Sequence, residues 1–93
     1  MAMLTMTQIA AYAKGAGFTG NALITAVAVA MAESSGSTTV VNSIGCVGLF
    51  QIYGRVHRKR YPTWTNQWLK QPGNNAKAAY ILSNGGKNWR PWE

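Results

Sequence analysis

Acidic side chains are rare in this sequence, and one of them stands where a carboxyl group could donate a proton. Glu33 follows an apolar run at residues 22–32, and the one other acid is Glu93 at the end of the sequence. Apolar surroundings disfavour the charged form of a carboxyl, and the negative end of a helix dipole does the same. We therefore expect Glu33 to keep its proton at neutral pH and to act as a general acid. The alternative to the general-acid role is that Glu33 is a solvent-exposed residue at the end of a helix.

The composition indicates one small globular domain, residues 1–93, with a strong positive charge. Hydrophobic residues make up 47% of the sequence and charged residues 12%, which excludes a disordered, highly charged chain. Nine Lys and Arg against two acids give a net charge of +7, which favours anionic partners such as nucleic acid, lipid head groups or acidic wall polymers. Single copies of cysteine (Cys46) and histidine (His57) predict no disulfide within the chain and no metal or cofactor.

The spacing of apolar residues predicts a mainly α domain. A first helix, capped by Thr5 or Thr7, is expected to end near Lys14. A second helix, capped by Asn21, runs to residue 33 or 34; its apolar residues on nearly all sides predict a helix buried in the middle of the core. The residues expected on the apolar side of the first helix are Met3, Met6, Ile9, Ala10 and Ala13.

The remainder of the chain is more irregular. Residues 35–48 are rich in Ser, Thr, Gly and Val, and we expect an irregular excursion with a short strand at 38–41. A helical turn is expected at 64–70, and Asn74 or Asn75 caps a last helix at 76–82. The run at 22–32 is too short for a bilayer span of about 20 residues. No N-terminal export signal is evident, so another route of delivery to any extracellular target is expected.

Several short motifs follow one another in a characteristic order. They are Ala32-Glu33-Ser34-Ser35, Gly48-Leu49-Phe50-Gln51-Ile52, Asn75 with Ala78-Ala79-Tyr80, and residues 86–92. This series resembles the soluble lytic transglycosylase domain of the lysozyme-like superfamily, in the variety carried by bacteriophage cell-wall-degrading proteins. The separation of Glu33 from Gln51 is that usual in the family, and the resemblance covers nearly the whole chain.

The resemblance implies a small lysozyme-like fold and a specific reaction. The enzyme would cleave the β-1,4 bond between N-acetylmuramic acid and N-acetylglucosamine in peptidoglycan. Glu33 would be its single acid and base, and the product would carry a 1,6-anhydro end. A hydrolase of the two-carboxylate type would need a second acid, which here only Glu93 could supply. The alternatives are a hydrolytic muramidase on the same fold, an inactive wall-binding relative, and a basic nucleic-acid-binding module.

Other residues are expected to hold the saccharide, each with a structural alternative. Ser34 binds a sugar or the carboxyl, or satisfies the helix end. Gly48 lets the backbone approach the ligand, or only forms a turn. Gln51 pairs with an N-acetyl or hydroxyl group, or braces the loop. The aromatic residues that could stack on sugar rings or serve as core bulk are Tyr53, Tyr80, Trp89 and Trp92.

The remaining expectations concern partners and setting. A basic cluster could attract anionic wall polymers, or it is a solvated loop; its residues are Arg55, Arg58, Lys59 and Arg60. The protein is expected to be a monomer that acts on the bacterial cell wall. As a phage product it would be released with a holin or delivered with a virion. Cys46 is expected to be a small packing residue in the loop, and His57 is assigned no role.

Overall fold

The computed structural model describes residues 3–93, and this part of the chain is mainly α-helical, as the sequence predicts. The elements are α1 (Met6–Ala16), α2 (Gly20–Ser34), α3 (Gly54–His57), α4 (Asn66–Leu69), α5 (Pro72–Leu82) and a 3₁₀ helix (Arg90–Trp92). Helix α1 packs against both α2 and α5, and the short α4 packs against α5. None of the helices in residues 3–93 is both long and apolar enough to cross a membrane.

Helix α1 begins at a capping box. The Thr5 hydroxyl accepts a hydrogen bond from the Gln8 backbone N–H at 3.2 Å, and the Gln8 side chain accepts one from the Thr5 N–H at 2.9 Å. The helix continues past the predicted stop to Ala16, and Gly17 is its C-cap, with a φ of 122° that favours glycine. Of the predicted apolar side, Ile9 is buried, whereas Met6 remains 60% exposed. Only part of that side therefore belongs to the core.

Helix α2 is not surrounded by core, which corrects the expectation from its apolar sequence. Ala26 and Ala30 are fully buried, but Ile24 is 69% exposed. The small alanine side chains let neighbouring elements approach this face closely, and the larger residues lie at the sides and on the outer face. The helix also begins earlier than predicted, with Thr19 rather than Asn21 at the N-cap position.

The excursion covers residues 35–53, between α2 and α3, rather than the predicted 35–48, and it carries much of the core without regular structure. Within residues 3–93 its β-pairing consists of isolated bridges, including Val41 with Val47 and Val47 with Ile52, so the strand expected at 38–41 is wrong. Leu49 and Phe50 are nonetheless fully buried. This segment buries side chains from successive turns. The buried residues therefore do not alternate along the sequence with the period of two that identifies a strand.

Helix α5 begins before the predicted cap. Gln71 is the N-cap residue and Pro72 the first helical residue, so Asn75 lies inside the helix and is fully buried. Its side chain accepts a hydrogen bond from the Phe50 N–H at 2.7 Å and donates to the carbonyls of Val47 at 2.8 Å and Leu69 at 2.9 Å. Asn75 therefore ties the excursion to α4 and α5.

Candidate active site

Both acidic residues of the chain line one cleft of about 290 Å³. The cleft lies where the end of α2 meets the excursion, α3 and the C-terminal segment. Its volume is near the lower end of the roughly 300–1,000 Å³ typical of small-molecule sites. The lining residues are Glu33, Asn42, Ile44, Cys46, Gln51, Ile52, Tyr53, His57, Leu82, Pro91, Trp92 and Glu93.

Glu33 lies in the last turn of α2. Ser35 ends the helix in the left-handed conformation, with a φ of 53°. The Glu33 side chain is exposed, which corrects the expectation of apolar surroundings. The alanines of α2 that enter the core lie nearer the middle of the helix, and the final turn projects beyond them into the cleft. Proximity to the cleft, rather than burial, is therefore what distinguishes this carboxyl.

The charge in the cleft is opposite to that of the whole chain. Two glutamates line it, and none of the nine Lys and Arg residues is among its lining residues. Burial lowers the pKa of His57, which favours the neutral imidazole at neutral pH. Among residues 3–93, no three His, Cys, Asp or Glu residues are grouped so that they could hold a metal ion. The cleft thus offers carboxyl groups together with neutral polar and aromatic side chains.

The Gln51 amide is placed for both of the roles expected for it, a brace of the excursion and a contact with the saccharide. Its Nε2 donates to the Gly48 carbonyl at 3.0 Å and to the Val40 carbonyl at 3.2 Å, which braces the excursion. The residue lines the cleft, and within residues 3–93 no hydrogen bond uses its Oε1. The oxygen is therefore available to accept a hydrogen bond from a ligand N–H or O–H.

Two of the four predicted aromatic residues line the cleft. Tyr53 is one, and Trp92 is the other; the Trp92 indole N–H donates to the Phe50 carbonyl at 2.8 Å, which fixes the ring. Tyr80 and Trp89 are not among the lining residues. Their rings pack against Phe18, at centroid distances of 5.1 Å and 5.6 Å respectively. The structure gives these two residues a packing role.

Ser34 and Gly48 also lie outside the cleft lining. The Ser34 hydroxyl donates to the Ala30 carbonyl at 3.0 Å and accepts from the Gly36 N–H at 3.2 Å, so it satisfies the helix end. Gly48 is buried, with a φ of 74°, and a Cβ there would lie 2.7 Å from the Asn75 amide nitrogen. Its conformation and the close approach of Asn75 both require glycine.

Cys46 and Glu33 line the same cleft. Burial raises the pKa of the thiol, the Glu33 charge raises it further, and a hydrogen bond with Asn42 acts in the opposite direction. The thiol therefore stays protonated, and weakly nucleophilic, at neutral pH.

We expect Glu33→Gln to move the pH profile of Cys46 alkylation to lower pH. Loss of the Glu33 charge removes one influence that raises the pKa of the thiol, so a larger fraction is thiolate at a given pH. The measurement is the rate of iodoacetamide labelling between about pH 7 and pH 10, followed by mass spectrometry. Glu93→Gln is the control, because Glu93 is not among the causes of the shift. Identical profiles for wild type and Glu33→Gln would contradict the coupling.

The sequence identified only four of the twelve lining residues as candidates for the site. The polar residues that it left without a role there are Asn42, Cys46 and His57. Their side chains lie in irregular or one-turn segments, where no periodic pattern indicates which way a side chain points. Glu93 could have been identified as a candidate from the sequence, because only two residues of the chain are acidic. Leu82 and Pro91 reach the cleft only through the packing of α5 and the 3₁₀ helix.

Comparison with known proteins identifies the family of the chain. Searches of curated proteins and of solved structures gave no match. A family model described as a lysozyme-like domain matches residues 10–93, which include the cleft. Such domains are peptidoglycan-acting glycosidases or transglycosylases, so the substrate is peptidoglycan and the site of action is the bacterial cell wall. With most of its length matched, the chain belongs to the lysozyme-like domain family.

Proposed function

We propose that the chain is a lytic transglycosylase in which Glu33 is the acid and then the base. Glu33 protonates the oxygen that bridges N-acetylmuramic acid to N-acetylglucosamine, and the bond from muramic C1 to that oxygen breaks. The resulting Glu33 carboxylate takes the proton of the muramic C6 hydroxyl, whose oxygen bonds to C1 and closes a 1,6-anhydro ring. The observation that carries this proposal is the presence of Glu33, Gln51 and Trp92 in one cleft.

The cleft supports the proposal because its neutral side chains suit a saccharide. The Trp92 ring, fixed through its indole N–H, and the Tyr53 ring can each pack against the C–H face of a sugar. The Gln51 Oε1 can accept a hydrogen bond from an N-acetyl N–H or a hydroxyl. A sugar chain in the cleft also excludes water from around Glu33, so that proton transfer takes place between the carboxyl and the sugar oxygens rather than with solvent.

Gln51→Ala is expected to lower kcat/KM on peptidoglycan by roughly 10- to 100-fold, since it removes a ligand contact and a brace of the excursion. Steady-state release of soluble muropeptides measures the effect. Gln51 has a φ of 51°, so Gln51→Gly is the matched variant that loses the same side chain but relieves the backbone. We expect both variants to lose activity equally, and activity recovered in Gln51→Gly would mean that the side chain does not bind substrate.

A hydrolytic muramidase is the second candidate, and the position of Glu93 favours it. The other carboxyl of the chain lines the same cleft as Glu33, although the two residues are far apart in sequence. A second carboxylate can activate a water molecule for attack on C1, which is how inverting glycosidases work. The products would then carry reducing ends instead of anhydro rings.

Analysis of the products tests the proposal. Purified peptidoglycan is digested, reduced with borohydride and examined by mass spectrometry. We expect muropeptides that are one water lighter than hydrolysis products and that resist reduction, both from wild type and from Glu93→Gln. Reducible ends throughout, together with loss of activity in Glu93→Gln, would establish the muramidase instead. An absence of any cleavage by the purified wild-type protein would overturn both candidates.

Binding to anionic wall polymers is a further part of the proposal. Arg55, Lys59 and Arg60 are exposed, so their charge can act at long range. Arg58 differs, because its guanidinium donates to the Trp64 carbonyl and to Asn66 Oδ1, both at 3.0 Å, and so holds the following loop. Support for the proposal would be wall binding that weakens as salt rises and is reduced in a variant lacking the three exposed charges.

The proposed setting is a bacteriophage lysis enzyme that acts as a monomer, released with a holin or carried by a virion. Its support is the resemblance of the early segment and of the ending Asn88-Trp89-Arg90-Pro91-Trp92 to phage cell-wall-degrading proteins.

A further inference from the structure

A second pocket lies beside α4, away from the cleft. It has a volume of about 370 Å³ and shares no lining residue with the cleft. Its lining residues are Thr65, Gln67, Trp68, Gln71 and Asn74. One tryptophan and three amide side chains line this shallow pocket, and the proposed reaction uses none of them.

The orientation of Trp68 is fixed by a stack of three aromatic rings. The Trp68 ring is parallel to that of Trp64 within 9°, with centroids 6.0 Å apart, and Trp64 is parallel to Tyr61 within 11° at 4.1 Å. Trp64 is only 3% exposed, so the stack is anchored in the core. Trp68 itself is half-buried and lines the pocket. A ring held in this way binds a ligand without losing rotamer freedom.

The polar groups around Trp68 are neutral and several of them face solvent. Gln67 and Gln71 are exposed, and no hydrogen bond within residues 3–93 uses either side chain. The Asn74 amide is positioned by donating to the Trp68 carbonyl at 3.1 Å, and the Thr65 hydroxyl accepts from the Trp68 N–H at 3.2 Å. None of the five lining residues is charged. The pocket therefore suits an uncharged ligand that offers both donors and acceptors.

We propose that this pocket is a second saccharide-binding site, which takes a neutral N-acetylated hexosamine ring. The C–H face of the sugar packs against Trp68, and the exposed amides of Gln67 and Gln71 exchange hydrogen bonds with its hydroxyl and acetamido groups. N-acetylglucosamine fits better than N-acetylmuramic acid, because its free 3-hydroxyl can exchange hydrogen bonds with the amides, whereas in N-acetylmuramic acid that oxygen carries the bulky lactyl ether. The site holds a part of the glycan that is not in the cleft. This assignment extends the proposed function but rests on its own residues.

The test is a titration of ¹⁵N-labelled Glu33→Gln protein with the N-acetylglucosamine trimer, followed by NMR. That substitution prevents turnover while leaving the second pocket untouched. We expect saturable shifts of the Trp68 indole N–H and of the side-chain amides of Gln67 and Gln71. The same shifts should persist when Trp92→Ala is added to weaken binding in the cleft, so the two sites are distinguished in one experiment.

Two further variants decide whether the pocket itself binds the sugar. Gln67→Ala with Gln71→Ala changes exposed side chains only, so the fold is retained, and we expect the dissociation constant at Trp68 to rise at least roughly tenfold. Trp68→Ala is expected to weaken binding more strongly. Its unfolding curve is measured as well, because Trp68 packs on Trp64 and the substitution affects stability. Shifts confined to cleft residues, or an unchanged dissociation constant in the double variant, would overturn the proposal. Lysis of peptidoglycan is measured separately, and its absence would bear on the proposed reaction alone.

Discussion

Glu33→Gln is expected to reduce peptidoglycan cleavage by about 10²- to 10⁴-fold, the usual contribution of a general acid. The amide has nearly the size of the carboxyl, but it neither donates a proton to the bridging oxygen nor accepts one from the C6 hydroxyl. Both halves of the proposed reaction therefore fail together. The measurement is the initial rate at which purified peptidoglycan is solubilised, with the variant purified away from enzymes of the expression host.

The stability of the Glu33→Gln protein should remain within about 0.5 kcal/mol of wild type, because surface substitutions seldom change it by more. The side chain is exposed at the last turn of α2 and takes no part in the core. Denaturant unfolding of both proteins provides this control. A loss of activity with an unchanged unfolding curve assigns the effect to chemistry. Cleavage at more than half the wild-type rate would contradict the role of Glu33.

Glu93→Gln is the second variant that separates the two mechanisms, because both carboxyl groups line the same cleft. A transglycosylase uses a nucleophile that belongs to its substrate, so only Glu33 is essential. A two-carboxylate hydrolase needs both residues, and each single variant would then be inactive. The pair of variants separates mechanisms that a single inactive variant cannot distinguish.

The sequence predicted the position of Glu33 correctly but not its surroundings. Glu33 was expected at the end of a helix, and the structure places it there. The expected apolar burial failed because hydrophobic composition does not say which side of a helix faces the core. In α2 the buried positions are the alanines, and Ile24 faces solvent. The local sequence pattern determines where a helix forms, whereas packing between helices determines which of its side chains are buried.

Local signals also explain why some elements were predicted well and others poorly. Thr5 was one of the two caps expected for α1, and its hydrogen bonds with Gln8 span three residues, so the neighbouring sequence indicates them. Asn75 has the residue type of a cap, and its partners Val47 and Phe50 are remote in sequence. No local pattern distinguishes such an asparagine from one that begins a helix. Contacts of this kind also decide which side chains meet in the cleft.

Asn75→Ala is expected to lower the free energy of unfolding by about 3–5 kcal/mol. The substitution leaves the Phe50 N–H and the Leu69 carbonyl without a partner, at a cost of about 1–3 kcal/mol for each buried group, whereas the Val47 carbonyl keeps the Ile52 N–H at 3.0 Å. It also opens a cavity, since Asn75 is fully buried. A domain of this size has a total stability of about 5–15 kcal/mol, so this loss is a large part of it. Urea unfolding followed by circular dichroism measures the change.

Asn74→Ala is the matched control, because the neighbouring asparagine is only half-buried and makes one side-chain hydrogen bond, to the Trp68 carbonyl. We expect it to cost no more than about 1.5 kcal/mol. Asn75→Asp tests the two donated bonds separately: it keeps an acceptor for Phe50 but faces the Val47 and Leu69 carbonyls with oxygen. It should destabilise the protein at least as much as alanine does, because it also buries a charge. Equal midpoints for the Asn74 and Asn75 alanine variants would show that the excursion beneath the cleft is held by apolar packing instead.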